Sequence, residues 1–235
     1  MFGKMLASAL FAGLAGGLVA AFLQVYLMVP VILEAELYES GIRVHNAESA
    51  LPPGERQAAE DAARATAEAE AFARNFATFL ATTAAYTGFA LLMVAGFALA
   101  RRSGIEVGAR SGILWGMGGF VAFQLAPALG LPAELPGASA AALPLRQLWW
   151  SFAVVATLGG IIAIAFGRTL PLQLVGVGLL ALPVLVPAPH PAEYGGVVPP
   201  ELATLFAGRA LAVGAATWAV LGFFAGHFWS RSRLP

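Results

Sequence analysis

The sequence predicts an all-α protein: a polytopic bundle of membrane helices with both termini on the cytoplasmic side. Three observations carry this. Of 235 residues, 59% are hydrophobic and only 11% are charged, against about 25% charged in soluble domains. The apolar residues gather into six runs long enough, or nearly so, to cross a bilayer. Seven of the 13 Lys and Arg residues fall on one side of those runs; six arginines lie on the other, four of them in one long segment where charge sets orientation only weakly. A core of this length could not hide so much apolar surface from water, so lipid is the expected solvent. The mean hydropathy of +0.79 agrees.

The first apolar run extends from Met5 to Leu33, far beyond the ~7–15 residues of a signal-peptide core, and reads as a retained span over Met5–Val29. Five more follow at Phe76–Ala100, Ser111–Leu131, Leu148–Gly167, Pro171–Pro187 and Leu205–Trp229. A hydrocarbon core of ~30 Å needs about 20 helical residues. The fifth run is short and carries Pro183 near its end, so it could be re-entrant or broken, which would leave five spans.

Lys4, Arg101, Arg102, Arg110, Arg168, Arg231 and Arg233 define the cytoplasmic side by the positive-inside rule. Every carboxylate except Glu106 lies on the other side, so the outer face would attract cations. The whole chain, 1–235, reads as a single membrane domain. Its long outer segment, 34–75, contains ERQAAEDAARATAEAEAFARNF, dense in alanine and free of breakers. This predicts a solvated helix leading into the second span, with Glu60–Arg64 and Glu70–Arg74 as i,i+4 pairs.

The odd spans resemble one another. GGLVAAFLQVYLMVPVILEAE (Gly16–Glu36) and GGFVAFQLAPALGLPAE (Gly118–Glu134) each run from a Gly pair through V-A, Phe, a mid-span Gln and a Pro to an outer Glu. LQLVGVGLLALPVLVPAPHPAE keeps the glycines, the outer prolines and a polar end. Three helical hairpins around a shared centre would explain this. The pairs Gly13/Gly17, Gly112/Gly116 and Gly222/Gly226 have the small-xxx-small spacing that lets membrane helices approach closely.

Polar side chains at depth are few. Gln24 and Gln124 are the clearest; either could be helix glue or line an ion path. The outer mouth is richer. Glu34, Glu36 and Glu39 follow the first span, Glu134 the third, and His190 with Glu193 the fifth, while His45 stands in the long loop. Carboxylate with imidazole suits a borderline divalent transition metal. A collar of Glu34, Glu134, His190, Glu193 and His45 is therefore the candidate metal site, its short segments stiffened by proline. None of these residues has tight chelating spacing, and each alone also fits a solvated loop. Arg146 and Gln147 precede Trp149 and Trp150, an aromatic belt at the outer interface. Arg146 could pair with Glu134 and pin the mouth. His227, beside Phe228 and Trp229, reads as an interfacial anchor.

Other classes are disfavoured. A formal net charge of zero gives no footprint for nucleic acid. The absence of cysteine removes disulfides, thiolate nucleophiles and soft metal sites together. There is no phosphate-binding G-x-x-x-x-G-K-[ST], no H-E-x-x-H and no G-x-S-x-G, so neither an enzyme nor a tightly bound cofactor is expected. A membrane scaffold for a partner protein is the alternative to a permease.

GFALLMVAG (Gly88–Gly96), GILWGMGGFVAFQLAPALGLPAELPG (Gly112–Gly137), RQLWW (Arg146–Trp150), and PAPHP followed by VPPELATLFA resemble the CbtA family in order and spacing, over most of Met1–Trp229. The resemblance implies a probable cobalt transporter subunit in the bacterial cytoplasmic membrane, moving Co2+ in connection with cobalamin biosynthesis. It also implies a small one-span partner, CbtB, with a histidine-rich tail. Members of the family are described with five spans, where the residues here give six. The long outer segment carries least of the likeness.

Overall fold

The computed structural model describes residues 2–45, 51–193 and 195–231. Arg233, one of the residues used to orient the chain, lies outside them. Among the described residues there is no strand, only an isolated bridge between Ala138 and Gly196. The elements are α1 (Phe2–Leu23), a π turn (Gln24–Met28), α2 (Val29–Glu39), α3 (Pro53–Arg102), α4 (Ala109–Phe120), a second π turn (Val121–Leu125), the short α5 (Ala126–Ala128), α6 (Leu143–Phe166), α7 (Leu170–Leu185) and α8 (Pro200–Arg231).

Four helical runs are long and apolar enough to cross a membrane: Gly3–Glu39, Pro53–Arg102, Leu143–Phe166 and Pro200–Arg231. These correspond to the first, second, fourth and sixth expected spans. Four of the six expected spans meet this criterion. The third candidate is helical from Ala109 to Ala128, but its glycines, Gln124 and Pro127 dilute its apolarity. The fifth is α7, of 16 residues, which reaches only about 24 Å at 1.5 Å per residue.

The first helix also runs farther than expected. It continues to Glu39, so Glu34, Glu36 and Glu39 ride on a helix rather than on a loop. Ser40 and Gly41 then stop it, Gly41 taking a left-handed φ of 75°. The alanine-rich segment and the second span form one unbroken helix of 50 residues, α3. Glu55 in its first turn and Arg101 and Arg102 in its last complement the helix dipole. Its end is closed by Gly104 (φ 80°) and by the Ile105 N–H donating to the Ala100 carbonyl at 3.1 Å.

Both π turns end two residues before a proline, Pro30 and Pro127. Proline has no N–H and its ring crowds the carbonyl four residues back. One extra residue in the turn moves that carbonyl out of the way and keeps the helix running, at the price of a looser ladder. The two glutamines are not equivalent in this frame. Gln24 opens its π turn, whereas Gln124 is the fourth residue of its own. In α7, Pro183 sits inside an α-helix without a π turn. The likeness of the odd spans thus reaches the first two in this feature and stops at the third.

Contacts divide the chain into two compact units, Met1–Tyr26 with Phe72–Phe120 and Ala212–Pro235, and Leu27–Ala71 with Val121–Leu211. Along the sequence, two of the divisions fall within or at the edge of the π turns.

The first unit is held by close helix approach. A Cβ on Gly13 would strike the Thr87 backbone, and one on Gly17 would lie 2.5 Å from the Thr83 Cα, so α1 lies directly against α3. Gly112 faces the Gly222 carbonyl, Gly116 the Trp218 carbonyl, and Gly226 the Gly108 carbonyl, which brings α4 and α8 together at backbone distance. All three expected glycine pairs therefore serve packing. Aromatic rings fill the space beside the seams: Phe97 meets Trp115 edge-on at 5.2 Å, and Trp218 lies 4.7 Å from Phe89. Leu6, Leu10, Leu14, Leu18 and Phe22, four residues apart along α1, are exposed and form the face expected against lipid.

In the second unit α6 and α7 cross where Gly160 and Gly176 meet. A Cβ on either would come within 2.8–2.9 Å of the other's carbonyl. The segments that follow α2, α5 and α7 also meet. The Ser139 N–H donates to the Gly195 carbonyl at 3.1 Å, and a Cβ on Gly137 would lie 2.8 Å from Val197 and 3.5 Å from the Glu39 side chain.

Candidate functional site

The two deep glutamines differ in how they are satisfied. In the first unit, the buried Thr82 hydroxyl on α3 donates to Gln24 Oε1 at 3.2 Å. In the second, Gln124 Oε1 is buried with no hydrogen-bond partner. An amide oxygen taken out of water without a donor is costly, at about 1–3 kcal/mol. It sits within a π turn, where the backbone ladder is already loosened.

At the expected mouth the carboxylates are engaged in pairs. Glu134 Oε2 lies 2.7 Å from an Arg146 terminal nitrogen, the expected ion pair. Gln147, on the next position of α6, lines the same cleft. Glu34 meets Arg43 at 3.3 Å. Arg43 also holds Glu60 through two parallel bonds, Nε to Oε1 and a terminal nitrogen to Oε2, each 2.9 Å. Arg43 thus joins α2 to α3. Glu60 was expected to pair with Arg64 one turn on; its hydrogen bonds go instead to Arg43, with Arg64 and Arg56 adding charge from farther off.

The hydrogen bonds and charge of Arg43 hold the Glu60 carboxyl below its ordinary value of 4.5. A carboxylate depressed in the folded state stabilises the fold at pH above its unfolded value, and that contribution is lost as pH falls through the folded value. Spin labels at Tyr38→Cys and Asp61→Cys should therefore report a fixed α2–α3 separation at neutral pH that broadens as pH drops below 4.5. Glu60→Gln should show the broad distribution at every pH. A distribution indifferent to both acid and Glu60→Gln would mean that Arg43 does not hold these helices.

The remaining mouth residues stay apart. Glu36, Glu39 and Glu193 are exposed, and His45 is half-buried. His190 is exposed, its Nδ1 3.0 Å from the Pro191 carbonyl, at the end of an apolar groove walled by Leu145, Trp149, Phe152 and Pro187. Among the described residues no three His, Asp or Glu side chains stand where they could hold a metal ion together. His227 stacks on Phe223 at 6.0 Å, in keeping with an anchoring role.

Sequence reasoning missed Arg43 as a hub, and Arg209. Arg209 donates to the Leu27 backbone carbonyl, inside the first π turn, at 2.9 Å. A lone arginine in TLFAGRALAVG was a readable signal, because a cation within an apolar helix needs a partner. Nothing in local spacing could reveal Arg43–Glu60, which depends on the path of the intervening loop.

Neither a curated protein nor a solved structure matches the chain. The CbtA family, described as a probable cobalt transporter subunit, matches residues 2–230. That family is one of transporter subunits rather than enzymes, and its description agrees with the four long apolar helices. With nearly its whole length matched, the chain belongs to the CbtA family.

Proposed function

We propose that this chain is the membrane subunit through which a divalent transition-metal ion, cobalt by the family's description, enters across the bacterial cytoplasmic membrane. The observation that carries this reading is Gln124 Oε1, a buried oxygen without a donor inside a π turn of an apolar helix. Neutral amide and carbonyl oxygens bind a dication weakly, and an ion must leave a conduit as readily as it enters. On its own helix Gln24 carries a second deep amide, its oxygen held by the Thr82 hydroxyl.

Outside, Glu34, Glu193, His190 and His45 form an acidic and imidazole-bearing mouth that raises the local cation concentration without chelating. Glu134, tied to Arg146, pins the mouth segments. Six crossings with both termini in the cytoplasm would put these groups on the outer face. An inside-negative potential then favours entry by roughly 2.3 kcal/mol per charge for each 100 mV. A small single-span subunit of the CbtB kind, with its histidines, would complete the path and supply selectivity.

Gln124→Leu tests this. Cobalt uptake by membranes carrying that variant should fall about tenfold at equal protein level, the effect of removing one ligand worth about 1.4 kcal/mol. Unchanged uptake would contradict a path at Gln124. A second reading, a non-transporting scaffold for the partner, is favoured by the lack of a three-ligand metal cluster among the described residues and by the outward leucines and valines of α7. A scaffold would leave cobalt uptake insensitive to Gln124→Leu.

A further inference from the structure

Beside the first turns of α6 lies an open cleft of about 740 Å³, lined by Leu131, Pro132, Leu143 and Trp150 together with Glu134 and Arg146. The two charged side chains form an ion pair with a single N···O approach of 2.7 Å and remain 27% and 29% exposed. Arg146 Nε is buried without a hydrogen-bond partner. The guanidinium therefore has unused donors, and the carboxylate unused acceptor capacity.

A ligand for this cleft has to satisfy both signs at once. A bare cation would meet Arg146, and a bare anion would meet Glu134; each is opposed by one of the pair. A molecule carrying a phosphate and an ammonium a short link apart is opposed by neither. The apolar rim and the half-exposed Trp150, at the start of a helix apolar enough to cross a membrane, suit the glycerol and upper acyl carbons of a lipid. We propose that this cleft binds the headgroup of a zwitterionic phospholipid bearing a primary ammonium. The phosphate accepts from the exposed terminal N–H groups of Arg146, since its Nε is buried, and the ammonium donates to Glu134. A trimethylated ammonium has no N–H to donate, so ethanolamine is selected over choline.

The test is native mass spectrometry of the intact chain in detergent, reloaded with phosphatidylethanolamine, phosphatidylcholine or phosphatidylglycerol of identical acyl chains. The wild type should retain the ethanolamine lipid about tenfold better than either of the others, a difference of about 1.4 kcal/mol. Glu134→Gln still offers Arg146 an oxygen and so keeps the connection in place. It should bring ethanolamine and choline lipids within about twofold of each other, a residue of about 0.4 kcal/mol. Equal retention of the three lipids by the wild type would overturn the proposal, as would a preference that survives Glu134→Gln. Soluble phosphoethanolamine displacing the lipid at equal concentration would overturn the lipid assignment in favour of a small free ligand.

Discussion

Gly116→Val is expected to prevent the chain from packing its α4–α8 seam, lowering stability by about 3 kcal/mol or more. The Trp218 carbonyl occupies the place a Cβ would take, and the Gly222 Cα is 3.1 Å from it. Both neighbours are backbone, so no rotamer change can make room. The helices must separate, which also draws Trp218 away from Phe89 and Tyr86. Gly118→Ala, two residues on, is the control. Nothing lies within 4 Å of the place a Cβ would take there, and alanine is the better helix former by about 1 kcal/mol. Unfolding of the detergent-solubilised protein followed by tryptophan fluorescence separates the two. A Gly116→Val protein as stable as Gly118→Ala would show that the seam is looser than these distances require.

Arg209→Leu is expected to lower stability by about 1–3 kcal/mol, the loss of a hydrogen bond from a charged donor to a backbone carbonyl. The carbonyl is that of Leu27, within a π turn whose own ladder is already disturbed by Pro30. Thermal midpoints should fall by roughly 2–4 °C per kcal/mol lost for a chain of this size. Arg209→Lys can still place an ammonium on the carbonyl and should recover about half. An unaltered midpoint in Arg209→Leu would mean that solvent or lipid headgroups already satisfy Leu27.

How far the sequence could lead depended on the kind of constraint. Close backbone approach admits only small residues, so the seams left a readable mark in Gly13/Gly17, Gly112/Gly116 and Gly222/Gly226. The α3 helix was readable because alanine density and the absence of breakers act locally. Pro30 and Pro127 marked a disturbance in their helices, but proline alone does not say whether a helix kinks, stops or takes on an extra residue. The third span was less legible because Gln124, Pro127 and its glycines lower the apolarity of the segment in combination. At the mouth the charges were visible and most of their pairing was not. Glu134–Arg146 bridges a short connection and could be anticipated. Arg43–Glu60 joins two elements across 17 positions, a pairing that no residue spacing encodes. The carboxylates expected to collect a metal turned out partly engaged with arginines, while an amide oxygen in the helix was left without a donor.

Whether this chain conducts a divalent metal is read most directly from cobalt entry into liposomes holding the purified chain, alone and with the proposed single-span subunit, under an inside-negative potential. Potential-dependent entry is expected, cut about tenfold by Gln124→Leu. A folded chain that admits no cobalt in either preparation would contradict conduction and leave a scaffold in its place.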